Sequence, residues 1–536
     1  MTDVEKVTER EVKRASKCLN DGKSDPMFAY SSECFKYAPD VLHNLLAIII
    51  RAFLIHGHVT YYLLLATLVP IVKNKLASIS TSKNYRSIAV SSLILKLIDL
   101  IILDLFGYKL GLDDLQFAYQ NGASTTMCTW AVIETISYFL RNGAEVFTCQ
   151  TDMSKAFDMI KHSLLFNKLL NRGFSRIFTR LLIFIYRFQF ANVRWNSTVS
   201  NIFSLCNGVR QGAVLSRILY CLYSNNLFQI LRRKTTGCWV NNCFHGIFGY
   251  SDDKWVLAPS ISGLQEMLRT IEEYCDSHNV KFSTDSMPEK CKTKCIAFLF
   301  KNRPLPNIVL YGNNLPWVSE GVHLGNYFDN SFNMMHKDIK MKRASFIAKN
   351  YELIQEFYFA HPISKLKVSL IYNCHFTGSP IWDLFSQEAI KLENSWNVFI
   401  RKIFDLPMTT HRYFIELISQ QLHLKKMLIN RFLSFTKQIK KSSKNVVKQL
   451  FNLVHRDAGS ITGRNIRAIK ILTKQSDFTN VTKSNVKGII YAEAPVDADV
   501  VSDMIKELTD CKFGCLDIGN LSSEECNDII NFLCTA

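Results

Sequence analysis

No apolar run in this 536-residue sequence reaches the ~20 residues that a membrane-spanning helix needs. The run at 59–72 contains Pro70, and LILKLIDLIILDLF (93–106) is broken by Lys96, Asp99 and Asp104, so both read as core helices or strands. No secretory signal opens the chain, whose first residues, MTDVEKVTEREVKRASK, are charged and polar. The sequence also lacks internal repeats, long low-complexity tracts and paired CxxC spacing. Its 16 cysteines are scattered, so reduced thiols in the nucleus or cytoplasm are expected rather than a secreted disulfide framework. Cys511, Cys515, Cys526 and Cys534 have no His nearby and suit small buried thiols better than a zinc site. The glycosylation-like triplets at Asn196, Asn480 and Asn520 carry little weight without secretion.

Negative charge is in short supply. Asp plus Glu number 46 against 64 Lys plus Arg, a formal charge of +18. This favours a polyanionic partner, nucleic acid or anionic membrane, over the blander alternative of a protein that is merely basic.

What is present is apolar: 48% of residues, 37 of them Phe, enough to bury a large core in about two to four domains. Residues 1–60 read as a helical segment in which VLHNLLAIIIRAF (41–53), apolar on most sides, is expected to be buried. Over 61–330, short strand-like runs alternate with helical ones: EVFTCQTD, then HSLLFNKLLNRGF closing on Gly173, then ANVRWNSTVSNIFSL. That mixture implies a sheet domain with helices. Residues 331–455 read as helical and basic, and 456–536 as a tail of unknown role that turns acidic after Lys487. The cluster Lys437, Lys440, Lys441, Lys444 and Lys448 suits either a phosphate contact or an import signal, although a solvated helix face is the commoner meaning of such a run.

Chemistry concentrates in GIFGYSDDKWVLAP (246–259). Both flanks suit strands, so Asp252 and Asp253 fall at the turn of a β-hairpin. Two adjacent ionised carboxylates repel each other unless a cation lies between them, and hard oxygen ligands suit Mg²⁺; Asp is also an ordinary turn residue. Asp152 ends the apolar strand EVFTCQTD, whereas Asp158 begins the next helix and suits a cap. Three carboxylates from two strands are what a two-metal phosphoryl-transfer centre requires.

Further runs fall in a recognisable order: KNYRSIAV (83–90), LQFAYQNGASTT (115–126), TDMSKAFDMIKH (151–162), NGVRQGAVLSRILY (207–220), GYSDD (249–253), HNVKFSTDSMPEKCKTKCIAF (278–298) and VHLGNYF (322–328). In this order they resemble the reverse transcriptase domain of non-LTR retrotransposons, LINE-type and Jockey-like. The resemblance implies an α+β fold, a right-hand polymerase of fingers, palm with antiparallel sheet, and thumb, followed by a helical extension. The stretch IWDLFSQEAIKLENSWNVFIRKIFDLPMTTHRYFI (381–415) resembles the region after the polymerase in these elements.

By the resemblance Asp152, Asp252 and Asp253 hold two Mg²⁺ ions, or Mn²⁺, and catalyse transfer together with Lys292, for which Lys290 and Lys294 are alternatives. Arg86, with Lys73 as a weaker candidate, would hold the triphosphate. Phe157 would lie under the sugar and select deoxynucleotides, or be an ordinary core residue. Gln211 and Gly212 would shape the nucleotide pocket. The implied function is an RNA-directed DNA polymerase that uses an RNA template, a DNA primer and deoxynucleoside triphosphates away from membranes, with an endonuclease supplied separately. Departures are Arg217 and Ser87, each where the family has Pro, and Ala213 where it has Cys. They suit an alternative, a catalytically inactive remnant that binds RNA or hybrid.

Overall fold

A computed structural model describes residues 2–487 except 29, 75–77, 155, 288 and 411–422. The cysteines of the C-terminal tail and the end of the 381–415 stretch lie outside the described residues. The chain divides into two compact units, 1–128 with 143–318, and 129–142 with the chain from 319 onward.

The first unit opens with α1 (Glu9–Lys17), capped by Thr8, whose N–H donates to Glu11 Oε2 at 3.2 Å. Then comes α2 (Asp40–His56), stopped by Gly57 in the left-handed region at φ +74°. Full burial of α2 is not what forms. His43, Leu46, Ala47, Ile50 and Leu54 face inward, whereas Val41, Leu45, Ile48 and Ile55 are exposed along a second stripe. A helix apolar on most sides needs neighbours on most sides, and α2 packs on α1 and on one later helix along one face.

The runs at 59–72 and 93–106 resolve into a strand and a helix. Strand β1 (Leu65–Val72) pairs antiparallel with β2 (Tyr85–Val90), and α3 (Leu93–Phe106) is capped by Ser92 and buries Leu93, Leu97, Ile98, Ile101 and Ile102. Helix α4 (Thr125–Arg141) carries the chain across the division at 128/129.

β3 (Val146–Thr151) is the apolar strand ahead of Asp152, followed by α5 (His162–Asn171) and α6 (Arg176–Arg187). β4 (Phe190–Trp195) pairs parallel with β1. After α7 (Ser216–Ser224) and α8 (Asn226–Arg233) come β5 (Ile247–Tyr250), β6 (Asp253–Ala258), α9 (Ile261–His278) and β7 (Lys294–Phe298). The central sheet has the order β5-β6-β3-β7 and is antiparallel throughout. β6 and β3 meet with Lys254 opposite Thr151, and β7 lies on the other side of β3 with Lys294 opposite Gln150. This register puts the end of β3 beside the start of β6.

In the second unit the hairpin Glu320–His323 with Asn326–Asp329 precedes α10 (His336–Glu356). Asp338 on α10, fully buried, accepts the Tyr327 N–H at 2.9 Å and the Trp382 Nε1–H at 2.7 Å. This ties the hairpin to the helices of the unit that begins at Ser319. Helices α11 (Pro362–Tyr372), α12 (Gln387–Ile403), α13 (Leu424–Lys441), α14 (Asn445–Val454) and α15 (Ile461–Leu472) follow, with Phe346, Trp382 and Trp396 in the core. Thr462 on α15 donates its N–H to buried Glu134 on α4 at 3.0 Å, which ties α15 to the rest of this unit. Of the five clustered lysines, Lys437, Lys440, Lys441 and Lys448 are exposed and Lys444 is buried.

No helix among the described residues is long and apolar enough to cross a membrane.

Candidate active site

The carboxylates gather at one end of the central sheet. β5 and β6 are joined by a tight turn at Ser251 and Asp252, with Tyr250 opposite Asp253 and Ser251 at φ +61°. That left-handed Ser has a reason. Buried Gln116 accepts the Ser251 N–H on Oε1 at 3.0 Å, while Phe117 N–H donates to Gly249 C=O at 2.7 Å and Gly249 N–H to Leu115 C=O at 2.8 Å. The strand-like stretch 115–117 is thus laced to β5 and clamps the turn from behind.

Asp152, the residue after β3, lies beside this turn through the β3–β6 register. Burial first, then the charges of Asp252 and Asp152, pushes the Asp253 carboxyl up to about 6. Three negative groups in a partly desolvated corner call for cations. One is already there: Lys292 Nζ lies 3.2 Å from Asp152 Oδ2, while the other two candidate lysines are placed at Lys290 in the preceding turn and Lys294 on β7. The donor set, all carboxylate oxygen, fits a hard divalent cation. Among the described residues no three His, Cys, Asp or Glu side chains converge closely enough to form a ready ligand cluster, so as placed the three carboxylates are neighbours with Asp152 engaged by Lys292.

A second group of sequence-derived residues surrounds the loop 207–212. Val209 N–H donates to Phe157 C=O at 2.8 Å, Gly208 N–H to Ile160 C=O at 3.0 Å, and Ala89 N–H to Gln211 C=O at 2.8 Å. The loop therefore bridges the segment after β3 to strand β2. Gly212 sits at φ +119°, where a Cβ would come within 2.8 Å of Ala89 O, so glycine is required by both backbone and contact. The Phe157 ring, half-buried, lies 5.1 Å from that of Tyr220. Arg86 and Lys73 share the β1–β2 hairpin, Arg86 opposite Ile71 and Lys73 donating its N–H to Asn84 C=O at 2.7 Å. Both are exposed.

A family model described as reverse transcriptase (RNA-dependent DNA polymerase) matches residues 71–324, a span containing every one of these residues. Residues 71–324 form a reverse transcriptase domain. It is of the non-LTR retrotransposon type. The chain is 24% identical over 290 residues to a probable RNA-directed DNA polymerase from transposon X-element of Drosophila melanogaster, covering 52% of this chain and 30% of the relative. It is 22% identical over 269 residues to the retrovirus-related Pol polyprotein from type-2 retrotransposable element R2DM of the same fly, covering 50% of this chain and 24% of that protein. The chain thus matches less than a third of either relative's length. Solved structures of Candida tropicalis apo telomerase (13% identity, TM-score 0.33, covering 51% of this chain and 54% of that one) and of Candida albicans telomerase with an RNA fragment (13%, 0.35, 78% and 65%) are also similar.

Three residues in the reverse transcriptase domain escaped the reading of its sequence. Gln116 holds the acidic turn, and the signal was a polar side chain inside the apolar stretch LQF. Asp99, half-buried on α3, accepts the Leu215 N–H at 3.2 Å at the start of α7 and sits near buried Arg210; desolvation pushes its carboxyl up to about 6 while the Leu215 N–H and Arg210 draw it back. It anchors the loop 210–215 from beneath, and its signal was a charge in an apolar helix. Lys254 is the third, a charge in an apolar strand. Arg217, exposed at the start of α7, lies with its guanidinium 5.1 Å from the centroid of the Tyr119 ring, a cation–π pair that keeps the charge out of the core.

Proposed function

We propose that this protein is an RNA-directed DNA polymerase of a non-LTR retrotransposon, extending a primer 3′-hydroxyl with deoxynucleotides along an RNA template. The observation that supports the reading is the pairing of β3, which ends just before Asp152, with β6, which opens on Asp253, inside the reverse transcriptase domain. Asp152, Asp252 and Asp253 would hold two Mg²⁺ ions, or Mn²⁺, which when bound activate the primer oxygen and stabilise charge on the displaced phosphate.

The chain's own residues supply the rest. Arg86 and Lys73 on the β1–β2 hairpin grip the triphosphate, a task suited to a guanidinium fork and an ammonium. The Phe157 ring sets the floor of the sugar pocket and leaves no room for a 2′-hydroxyl. Gln211 and Gly212 shape the pocket wall through the hydrogen bond from Ala89. Lys292, whose Nζ lies 3.2 Å from Asp152 Oδ2, would give a proton to the departing pyrophosphate. Basic side chains hold the RNA template and DNA primer by their backbones, with little sequence preference. An endonuclease would provide the primer end, and the nucleus or cytoplasm is the site of action.

Primer extension on poly(rA) with oligo(dT), in Mg²⁺ or Mn²⁺, is the test. Incorporation that disappears with Asp252→Asn supports the reading, and incorporation that survives it removes Asp252 from the site. A second reading, an inactive hybrid-binding remnant, draws support from Arg217 at a position where a Pro is usual and from the unconverged carboxylates. Salt-sensitive binding of hybrid without any incorporation is its signature.

A further inference from the structure

Beside the hairpin carboxylates lies a cation for which the proposed chemistry has no task. Lys254 follows Asp253 on β6, where the apolar flank KWVLA gives no hint of a charged partner, and it is 2% exposed. An ammonium is costly to bury unless its charge and its three N–H donors are answered. Its Nζ donates to the Ser251 C=O at 3.1 Å and lies 5.7 Å from the centroid of the Tyr220 ring. Its backbone is held as well, the C=O accepting from Thr151 Oγ1 on β3 at 3.2 Å.

One carbonyl and one ring face do not balance a full charge in the interior. The turn that it holds carries two negative charges, Asp252 and Asp253, both of which favour the ammonium. Lys254 is buried while Asp252 and Asp253 are half-buried, and the Ser251 carbonyl ties ammonium and turn together.

We propose that Lys254 is a positioning residue, a built-in counter-cation that keeps the Asp252–Asp253 turn in shape before any divalent ion arrives and weakens the site's hold on a free ion. The inference rests on the reading of these carboxylates as metal ligands. Its physical basis is repulsion between a buried ammonium and a divalent ion drawn to the same two carboxylates, an effect little screened in the interior. A triphosphate brings four acidic oxygens of its own, so the site would take up its ion with the nucleotide far more readily than alone.

The test is Mn²⁺ binding to the full chain at neutral pH, followed by the loss of the free-ion electron paramagnetic resonance signal, with thermal unfolding as the check on folding. Lys254→Met and Lys254→Gln should each bind Mn²⁺ about tenfold or more tightly, as expected for removal of a buried like charge. Gln retains a donor for the Ser251 carbonyl, so it guards against a Met variant that fails to fold. Lys254→Arg should keep the wild-type affinity. Folded Met or Gln variants with unchanged or weaker Mn²⁺ binding would show Lys254 to be a tether for the turn alone and overturn the proposal. Asp253→Asn separates the two levels: if no variant shows Mn²⁺ binding that this substitution abolishes, the metal reading itself fails.

Discussion

Replacing Gly208 by alanine puts a methyl group where the chain has no space for one. A Cβ on Gly208 would lie 2.6 Å from Phe157 O, 2.7 Å from Asp158 Cα and 2.8 Å from Asp158 O, all backbone atoms that cannot swing aside. The residue also has φ +81°, a conformation that costs an L side chain roughly 1–2 kcal/mol. Gly143 isolates that second cost, with φ +78° and nothing within 4 Å of its would-be Cβ. Gly143→Ala should therefore destabilise by roughly 1–2 kcal/mol and Gly208→Ala by roughly 2–5 kcal/mol, the excess being the overpacking contribution. Urea denaturation of both variants measures the difference. Because the 207–212 loop donates to the Phe157 carbonyl, Gly208→Ala should also raise the KM for deoxynucleotides, which Gly143→Ala should leave alone. Equal destabilisation by the two substitutions would refute the contact between the loop and the segment after β3.

The Asp253 carboxyl, raised to about 6 in the folded chain, binds its proton more tightly there than when unfolded. The stability this lends is fully present below about pH 4 and lost as pH rises through about 6. Asp253→Asn should accordingly stabilise the metal-free protein by on the order of 2 kcal/mol at pH 7 and by nothing at pH 4, while abolishing polymerisation; thermal unfolding across pH checks it. Phe157→Ala should raise ribonucleotide incorporation relative to deoxynucleotide, measured by single-nucleotide extension, with no change in ratio if Phe157 is only core. Asp99→Leu removes the acceptor of the Leu215 N–H and should cost about 1–3 kcal/mol, with faster hydrogen exchange at Leu215 as the local readout. Hybrid affinity, followed by fluorescence anisotropy, should fall about tenfold or more between 50 and 200 mM salt and vary little with sequence.

The strands of the site were legible because short, nearly continuous apolar runs bounded by turn residues can be recognised without knowing their partners. EVFTCQTD gave β3, and CFHGIFGY with KWVLAP gave the hairpin that carries Asp252 and Asp253. The left-handed Ser251 was not legible, since it depends on Gln116 from a stretch 135 residues away in the chain. Nor was the exposed stripe of α2. An apolar helix reads as buried on every side until the fold assigns it neighbours, and this one received them on a single face.

Charges inside apolar runs were visible as interruptions without a meaning. Asp99 interrupts α3 and answers the Leu215 N–H from an element 116 residues away, while Lys254 interrupts β6 and is buried with the Ser251 carbonyl three residues back and the Tyr220 ring, a placement that only the fold decides. The sequence by itself determined which segments are strands and helices, that the chain is basic, and which motifs stand in polymerase order, because periodicity, composition and spacing are local properties. Only the tertiary structure decided that β3 lies between β6 and β7, that Asp152 therefore faces the acidic turn, and that Lys292 rather than its neighbours meets it, because register and burial are settled by packing between distant segments.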